Sequence, residues 1–195
     1  MKHIGKSYDK VDAKGILSGK PSYTGDFVPK DALIIKVLRS PHAQAKIKSI
    51  DTSKAKLIPG VEAIFTYEDV PNTRFTLAGQ TYPEPSAYDA LILDPVVRYV
   101  GDEVALVVAK DEATALKAMP LIKVEYEVQK PVLDLRTAID HETVVHPEDD
   151  ILNHIPVGQD YKRNICVSYH KRVGDIEGEL AKCDYVVEGT YFDQA

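Results

Sequence analysis

The sequence has no tryptophan, only two methionines and two cysteines, and no apolar run that could cross a bilayer. Each shortage excludes something. A membrane-spanning helix takes ~20 consecutive apolar residues, whereas the longest unbroken run here is Val104 to Ala109. The first fourteen residues are polar and lack the apolar core of a signal peptide. Cys166 and Cys183 are too few for a secreted disulfide framework and form no Cys-x-x-Cys pair, so both are expected to be reduced, in a cytoplasmic protein. Positive charge is short as well. Lys and Arg total 24 against 30 Asp and Glu, a net charge of −6. That balance lacks the dense basic face a nucleic-acid partner requires. Lys46, Lys48, Lys54 and Lys56 cluster in sequence, but read as a solvated strand edge and helix face rather than as a phosphate site.

What is present is an ordinary globular composition, 44% hydrophobic and 28% charged over 195 residues, enough for a sizeable core. The chain is organised around Tyr99 to Ala109 and the residues after it. Val104 to Ala109 is apolar and rich in β-branched residues, which predicts a strand buried on both faces, entered through a turn at Gly101-Asp102. Asp111 is a natural N-cap, because its carboxylate can accept from the free N–H groups of the first helical turn. Ala113, Leu116 and Met119 then share one helix face, and Pro120 ends or bends that helix. Ile122, Val124, Tyr126 and Val128 alternate with Lys123, Glu125 and Glu127, a strand with one wet face.

Around this unit the pattern predicts further elements. Strands are expected over 32–39, 43–50 and 61–65, with a short helix over 54–58 between Asp51-Thr52-Ser53 and Pro59-Gly60. The strands over 32–39, 104–109 and 122–128 are expected to share one sheet with the 111–119 helix packed on it. Residues 1–14 read as an extended arm, and 15–27 as turns around a short extended piece. Thr66 and Asp69 have the spacing of a capping box with Asp in place of Glu. Residues 72–95 show no period, and a stretch that long without an element is either functional or an ordered excursion. A short helix is expected over 135–139, a polar linker over 141–162, strands over 165–169 and 185–191, and a helix over 175–182. Tyr185, Val187 and Tyr191 lack a cover, so residues 164–195 are expected to be mobile or to pair with the same segment of a second molecule.

Residue types that carry chemistry are present, but not in convincing arrangements. Gly174 and Gly178 lack the strand, third glycine and helix of a dinucleotide loop. Ser40 and His42 sit two apart without an orienting third group, which makes a strand break the simpler reading than a nucleophile and its base. His141, Glu142, His146, Glu148, Asp149, Asp150 and His154 are of the right types for zinc, yet no regular element aims them at one point, and they read as an acidic linker that binds no metal. Glu125 and Glu127 read as a solvent-facing charge row. A swinging-lysine carrier is excluded, since no lysine sits between apolar partners in a tight turn. No catalytic, cofactor-binding or metal-binding residue is assigned.

Several stretches together resemble the amino-terminal part of the molybdenum-binding large subunit of the xanthine dehydrogenase and aldehyde oxidase family. They are Tyr23-Thr24-Gly25-Asp26, Ser40-Pro41-His42-Ala43-Gln44-Ala45-Lys46-Ile47, Ile50-Asp51-Thr52-Ser53-Lys54-Ala55, Pro59-Gly60-Val61-Glu62-Ala63, the run from Val97 to Ala105, Val124-Glu125-Tyr126 and Gly174-Asp175-Ile176-Glu177. Glu103 stands where many members carry proline. The resemblance implies an α+β fold, an α/β hammerhead with a mixed sheet and packed helices over 1–148. A linker over 149–162 would follow, then the first strands of an incomplete cofactor-binding domain over 163–195. It implies a fragment of a molybdenum hydroxylase acting on purines, aldehydes or related heterocycles, inactive alone and serving as scaffold and docking surface. The molybdenum-pterin cofactor would lie further along the large subunit, and iron–sulfur clusters and FAD on partner modules. A free-standing, non-catalytic interaction module with the same fold is the alternative.

Overall fold

The computed structural model describes residues 4–20, 23–79, 83, 85–191 and 193. Its contacts divide the chain into two units: one of Met1–Asn72 with Ile92–Gln129, the other of Thr73–Leu91 with Lys130–Ala195.

The first unit is an α+β hammerhead built on the Val104 to Ala109 run. Strand β1 (Ile34–Arg39), β2 (Ala45–Asp51), β3 (Val61–Phe65), β4 (Val96–Val97), β5 (Glu103–Ala109) and β6 (Lys123–Val128) form two three-stranded sheets, ordered β1-β5-β3 and β4-β2-β6. Every pairing between these strands is antiparallel. In the first sheet Lys36 faces Val107 on one side of β5, and Ile64 faces Val107 on the other.

Helix α3 (Glu112–Ala118) lies on the face of that sheet carrying Val107 and Ala109. Ala115 and Ala118 are buried against Val107, Ala109, Ile64 and Ile122, where their lack of bulk lets the helix approach closely. On the opposite face Leu106 and Val108 are half-buried, so burial of β5 is complete on one side only. A second cluster of Ala45, Ile47, Val97 and Val104 fills the other sheet, and Leu38, Ile50 and Val124 pack against both clusters.

The expectation of one sheet holding 32–39, 104–109 and 122–128 is corrected here. β6 pairs with β2, from Ala45↔Val128 to Asp51↔Lys123, and not with the sheet of β5. The physical reason lies between them: Met119–Leu121 forms a 3₁₀ turn containing Pro120, so the chain leaves α3 abruptly and is handed to β2. Within β6 the wet row holds, with Lys123, Glu125 and Glu127 exposed and Val124 and Tyr126 turned inward.

The start of the chain also differs from its reading. Helix α1 (Ala13–Leu17) and a 3₁₀ turn at Thr24–Phe27 stand where an arm and turns were expected, and neither buries a residue. Such exposed single turns leave no periodic signature. Helix α2 (Ser53–Lys56) ends before Gly60, whose φ of +91° and position against the Lys110 side chain both suit glycine. Thr66 and Asp69 form half of the anticipated box. The Asp69 carboxylate accepts from the Thr66 N–H at 2.8 Å and its hydroxyl at 2.9 Å, closing a turn but opening no helix.

Asp111 caps α3 as its sequence position implies, accepting from the Thr114 N–H at 2.7 Å. Hydrogen bonds from the Thr114 side chain and backbone hold its carboxyl below the ordinary carboxylate range. A depressed folded-state pKa means that the cap contributes fully above the unfolded pKa and is lost as pH falls through the folded one. Thermal midpoints of the native chain and Asp111→Ala should therefore differ most near neutral pH and converge in acid. A gap that stays constant down to strongly acidic pH would show that the carboxylate is not the stabilising group.

In the second unit the expected strands over 165–169 and 185–191 do not form. Ile165 makes a single isolated bridge with Asp160, and Tyr185, Val187 and Tyr191 are at least 90% exposed. A strand is stabilised by a continued ladder of hydrogen bonds and cross-strand contacts. Beside 165–169 the pairing stops at Asp160–Ile165 and the Ser168 N–H to Val157 carbonyl bond, and among the described residues no strand pairs with 185–191. Helix α4 (Ile176–Leu180) does form, capped by Asp175, which accepts from the Gly178 N–H at 3.1 Å. The helix expected over 135–139 is a 3₁₀ turn, Leu135–Thr137. Among the described residues no helix is long and apolar enough to cross a membrane.

Candidate functional site: a cavity in the second unit

Two stretches with no clear sequence period build the second unit around a cavity. The 73–91 excursion is ordered by pairing. Phe75 and Ala90 exchange backbone hydrogen bonds at 3.0 and 3.1 Å, and the Tyr88 N–H donates to the Leu152 carbonyl at 2.9 Å. Arg74, with its side chain only 11% exposed, donates to the Asp150 carboxylate at 2.9 Å and to the Asp89 carbonyl at 2.9 Å. This guanidinium fastens the excursion to the later segment.

Asn164 fastens the later segment to itself. It adopts left-handed backbone angles, φ 59° and ψ 32°, at the end of the Tyr161–Arg163 3₁₀ turn. Asparagine tolerates that conformation better than most residues. Its amide nitrogen donates to the carbonyls of Ala138 and Thr143, both at 2.9 Å, and its amide oxygen accepts from the Val145 N–H at 2.8 Å. Next to it Arg163 grips Asp140 through two hydrogen bonds, Nε to Oδ1 at 2.6 Å and Nη2 to Oδ2 at 2.7 Å. This fork, more than the charge itself, holds the Asp140 carboxyl below its ordinary range.

The cavity formed between these fastenings encloses about 590 Å³. Ala87, Val132, Val145 and Val157 contribute apolar wall, and Asp89, His146, Asn153, Tyr161, Asn164 and Cys166 also line it. The Tyr161 hydroxyl donates to the Asn153 side-chain oxygen, and the Asn153 amide donates to the Pro85 carbonyl at 3.2 Å. Burial pushes the Tyr161 phenol up from its usual value, so it is a neutral hydroxyl at physiological pH. His146 stands between two carboxylates, its Nδ1 3.5 Å from Glu148 and its Nε2 3.9 Å from Asp89.

Of the acidic and imidazole residues of 141–154 the structure brings together His146 and Glu148, and holds the others on separate partners. Glu142 pairs with Lys130, Asp149 with Lys162 and Asp150 with Arg74. The His141 Nδ1 accepts from the Thr143 N–H at 3.0 Å, and the His154 ring meets Tyr88 edge-on at 4.8 Å. Among the described residues no group of three His, Cys, Asp or Glu side chains could hold a metal ion.

Ser40 and His42 are likewise a turn. The buried Ser40 hydroxyl donates to the His42 carbonyl and accepts its backbone N–H, both at 3.0 Å, while the imidazole packs edge-on against Tyr126. Glu103 binds Arg39 at 2.7 Å and accepts from the Tyr99 hydroxyl at 3.2 Å. Burial pushes its carboxyl up, but the Arg39 hydrogen bond and charge outweigh this and keep it below the usual range.

The family described as aldehyde oxidase and xanthine dehydrogenase, a/b hammerhead domain, matches residues 18–130. The chain belongs to that family. The hammerhead chain is 40% identical, over 212 aligned residues, to a probable hypoxanthine oxidase XdhD of Escherichia coli O157:H7; the alignment covers 96% of this chain and 22% of that protein. It is 32% identical to a xanthine dehydrogenase molybdenum-binding subunit of the same organism, covering 93% of this chain and 23% of that subunit. Among solved structures it superposes on a Cu,Mo-CO dehydrogenase in the carbon monoxide reduced state with a TM-score of 0.67 and 30% identity, covering 93% of this chain and 23% of that one. The hammerhead chain therefore spans about a fifth of the length of the relatives it matches.

The family implies a molybdenum-pterin group, and the residues lining the cavity do not fit one. An anionic pterin pyrophosphate is held by cationic side chains or converging backbone N–H groups. Among the described residues the charged carboxylate on this wall is Asp89, and no lysine or arginine lines it.

Proposed function

We propose that the hammerhead chain is the amino-terminal part of a molybdenum hydroxylase large subunit and serves there as scaffold and docking surface. The observation that carries this reading is the coverage. Nearly all of this chain aligns to about a fifth of proteins whose names describe molybdenum-binding or hypoxanthine-oxidising chains. Substrate oxidation and the molybdenum-pterin cofactor belong to the remainder of that subunit, and iron–sulfur clusters and FAD to partner modules. Purines are the substrate class that the names of the relatives favour. The protein is cytoplasmic, without nucleic-acid or membrane partners. Residues 1–148 are assigned to the hammerhead, 149–162 to a linker and 163–195 to the beginning of the cofactor-binding domain. In the isolated chain, exposed Tyr185, Val187 and Tyr191 are the side chains through which two copies would associate.

Two measurements test this. The 195-residue protein, supplied with molybdenum-pterin cofactor and hypoxanthine, is expected to reduce no dye above the rate without protein. Its gene is expected to continue in frame beyond Ala195 into the rest of a large subunit. Substrate-dependent dye reduction by the chain alone, or a stop codon after Ala195, overturns the scaffold reading.

A further inference from the structure

The cavity of the second unit carries an apolar wall and, among the described residues, one acidic side chain, Asp89. Its apolar wall rewards removal of an apolar side chain from water. Several polar groups on the wall are already engaged: Asn164 with three backbone groups, Tyr161 with Asn153, and Asn153 with Pro85. The buried His146 Nδ1 stands 3.5 Å from Glu148 without a hydrogen bond among the described residues. Asp89 differs. Arg74 binds its carbonyl rather than its carboxylate, and the carboxylate lies 3.9 Å from His146, beyond hydrogen-bonding distance, with the side chain 40% exposed. The chain's net charge of −6 also falls in this unit, where acidic side chains outnumber basic ones, while the hammerhead unit is close to balance. An anionic occupant would meet Asp89 with no lysine or arginine, among the described residues, on the lining.

Apolar side chains of the segment after Asn164 are left exposed. Val167, which lines the cavity, is 55% exposed and Tyr169 beyond is 76% exposed. An extended occupant can cover both, whereas a small molecule confined to the cavity leaves that strip wet.

We propose that the cavity is a socket for a polypeptide segment that inserts an apolar side chain and sets a neighbouring arginine or lysine against Asp89. Arginine suits the position best, because its planar fork can bind a carboxylate through two hydrogen bonds. The proposal deepens the scaffold reading and rests on it for the source of the segment, the remainder of the large subunit.

The test uses the whole chain and three capped tripeptides that differ at the centre: acetyl-Leu-Arg-Leu-amide and its Gln and Glu counterparts. Methyl NMR is expected to show the arginine peptide moving the Val145 and Val157 resonances, with an apparent affinity about tenfold above that of the glutamate peptide. Raising the salt concentration should narrow the gap, and Asp89→Asn should bring the arginine and glutamine peptides to about equal affinity. Equal binding of the arginine and glutamate peptides to the native chain overturns the proposal, independently of how the variant folds. So do shifts confined to residues outside the cavity, or no shift at concentrations of about 10 mM. Benzylammonium moving the same methyls as far as the arginine peptide at equal concentration would assign the cavity to a small amine and overturn the peptide reading. The titration requires no other subunit, so its failure leaves the scaffold reading standing, while the dye and gene tests judge that reading separately.

Discussion

Replacing Val107 with alanine is expected to lower the unfolding free energy by ~2–3 kcal/mol, read as a shift of the urea midpoint with an unchanged slope. Val107 is fully buried on the central strand of its sheet, paired to Lys36 of β1 and Ile64 of β3 and covered by Ala115 and Ala118 of α3. Removing two methyl groups forfeits their transfer free energy. It also leaves a void that the alanines above cannot fill, because they have no longer side chain to swing inward. Val107→Ile, which adds one methylene, would instead strain the close approach of α3. A midpoint unchanged within error in Val107→Ala would mean that the strand sits at a surface able to collapse around the loss.

The second large effect is expected at Asn164. Alanine there removes an acceptor from the Val145 N–H and donors from the Ala138 and Thr143 carbonyls, and must still adopt a φ of 59°. Each of these partly buried backbone groups costs about 1 kcal/mol to leave without its partner, and the left-handed backbone adds about 1 kcal/mol for alanine. The sum, ~4 kcal/mol, should appear as faster hydrogen exchange in the second unit, centred on Val145. Asn164→Gly separates the two contributions, since glycine accepts the backbone angle but makes none of the side-chain bonds. If both variants leave the Val145 amide as protected as in the native chain, the asparagine is not the fastening.

What could be read from the sequence follows from how locally each feature is specified. β5 announced itself because its inward face is fully buried and its other face partly so, which leaves no polar position in the run from Val104 to Ala109. Helix α3 was legible because its cap stands beside it in sequence, but its inward face was not. Ala113 and Leu116, expected on that face, are exposed, and Thr114, Ala115 and Ala118 are buried instead, because the sheet beneath admits only small side chains. The wet and dry faces of β6 came from a period of two that any pleated strand imposes. The family was legible because short turn and strand-edge stretches recur in a fixed order from Tyr23 to Glu177, and the match over 18–130 bears that out.

The sheet to which β6 belongs was not legible. Alternation fixes which side chains point inward but not which strand lies alongside, and Pro120 redirects the chain by a tertiary choice. The strands expected over 165–169 and 185–191 failed for a related reason, since alternation is necessary for a strand but a hydrogen-bonded neighbour makes one. The cavity was hidden altogether. Its fastenings join Arg74 to Asp150, Asn153 to Pro85 and Asn164 to Ala138, pairs remote in sequence and without period.

By itself, then, the sequence determined the family and the presence of the hammerhead's β5, α3 and β6 as elements, because those properties reside in contiguous residues. Only the tertiary structure decided how the strands divide into two sheets and that an apolar cavity with Asp89 on its wall exists. It also decided that of the histidines and carboxylates of 141–154 only His146 and Glu148 come together, among the described residues, while Glu142, Asp149 and Asp150 pair with cationic side chains. Those properties depend on which distant segments meet, and that is set by the free energy of packing the whole chain.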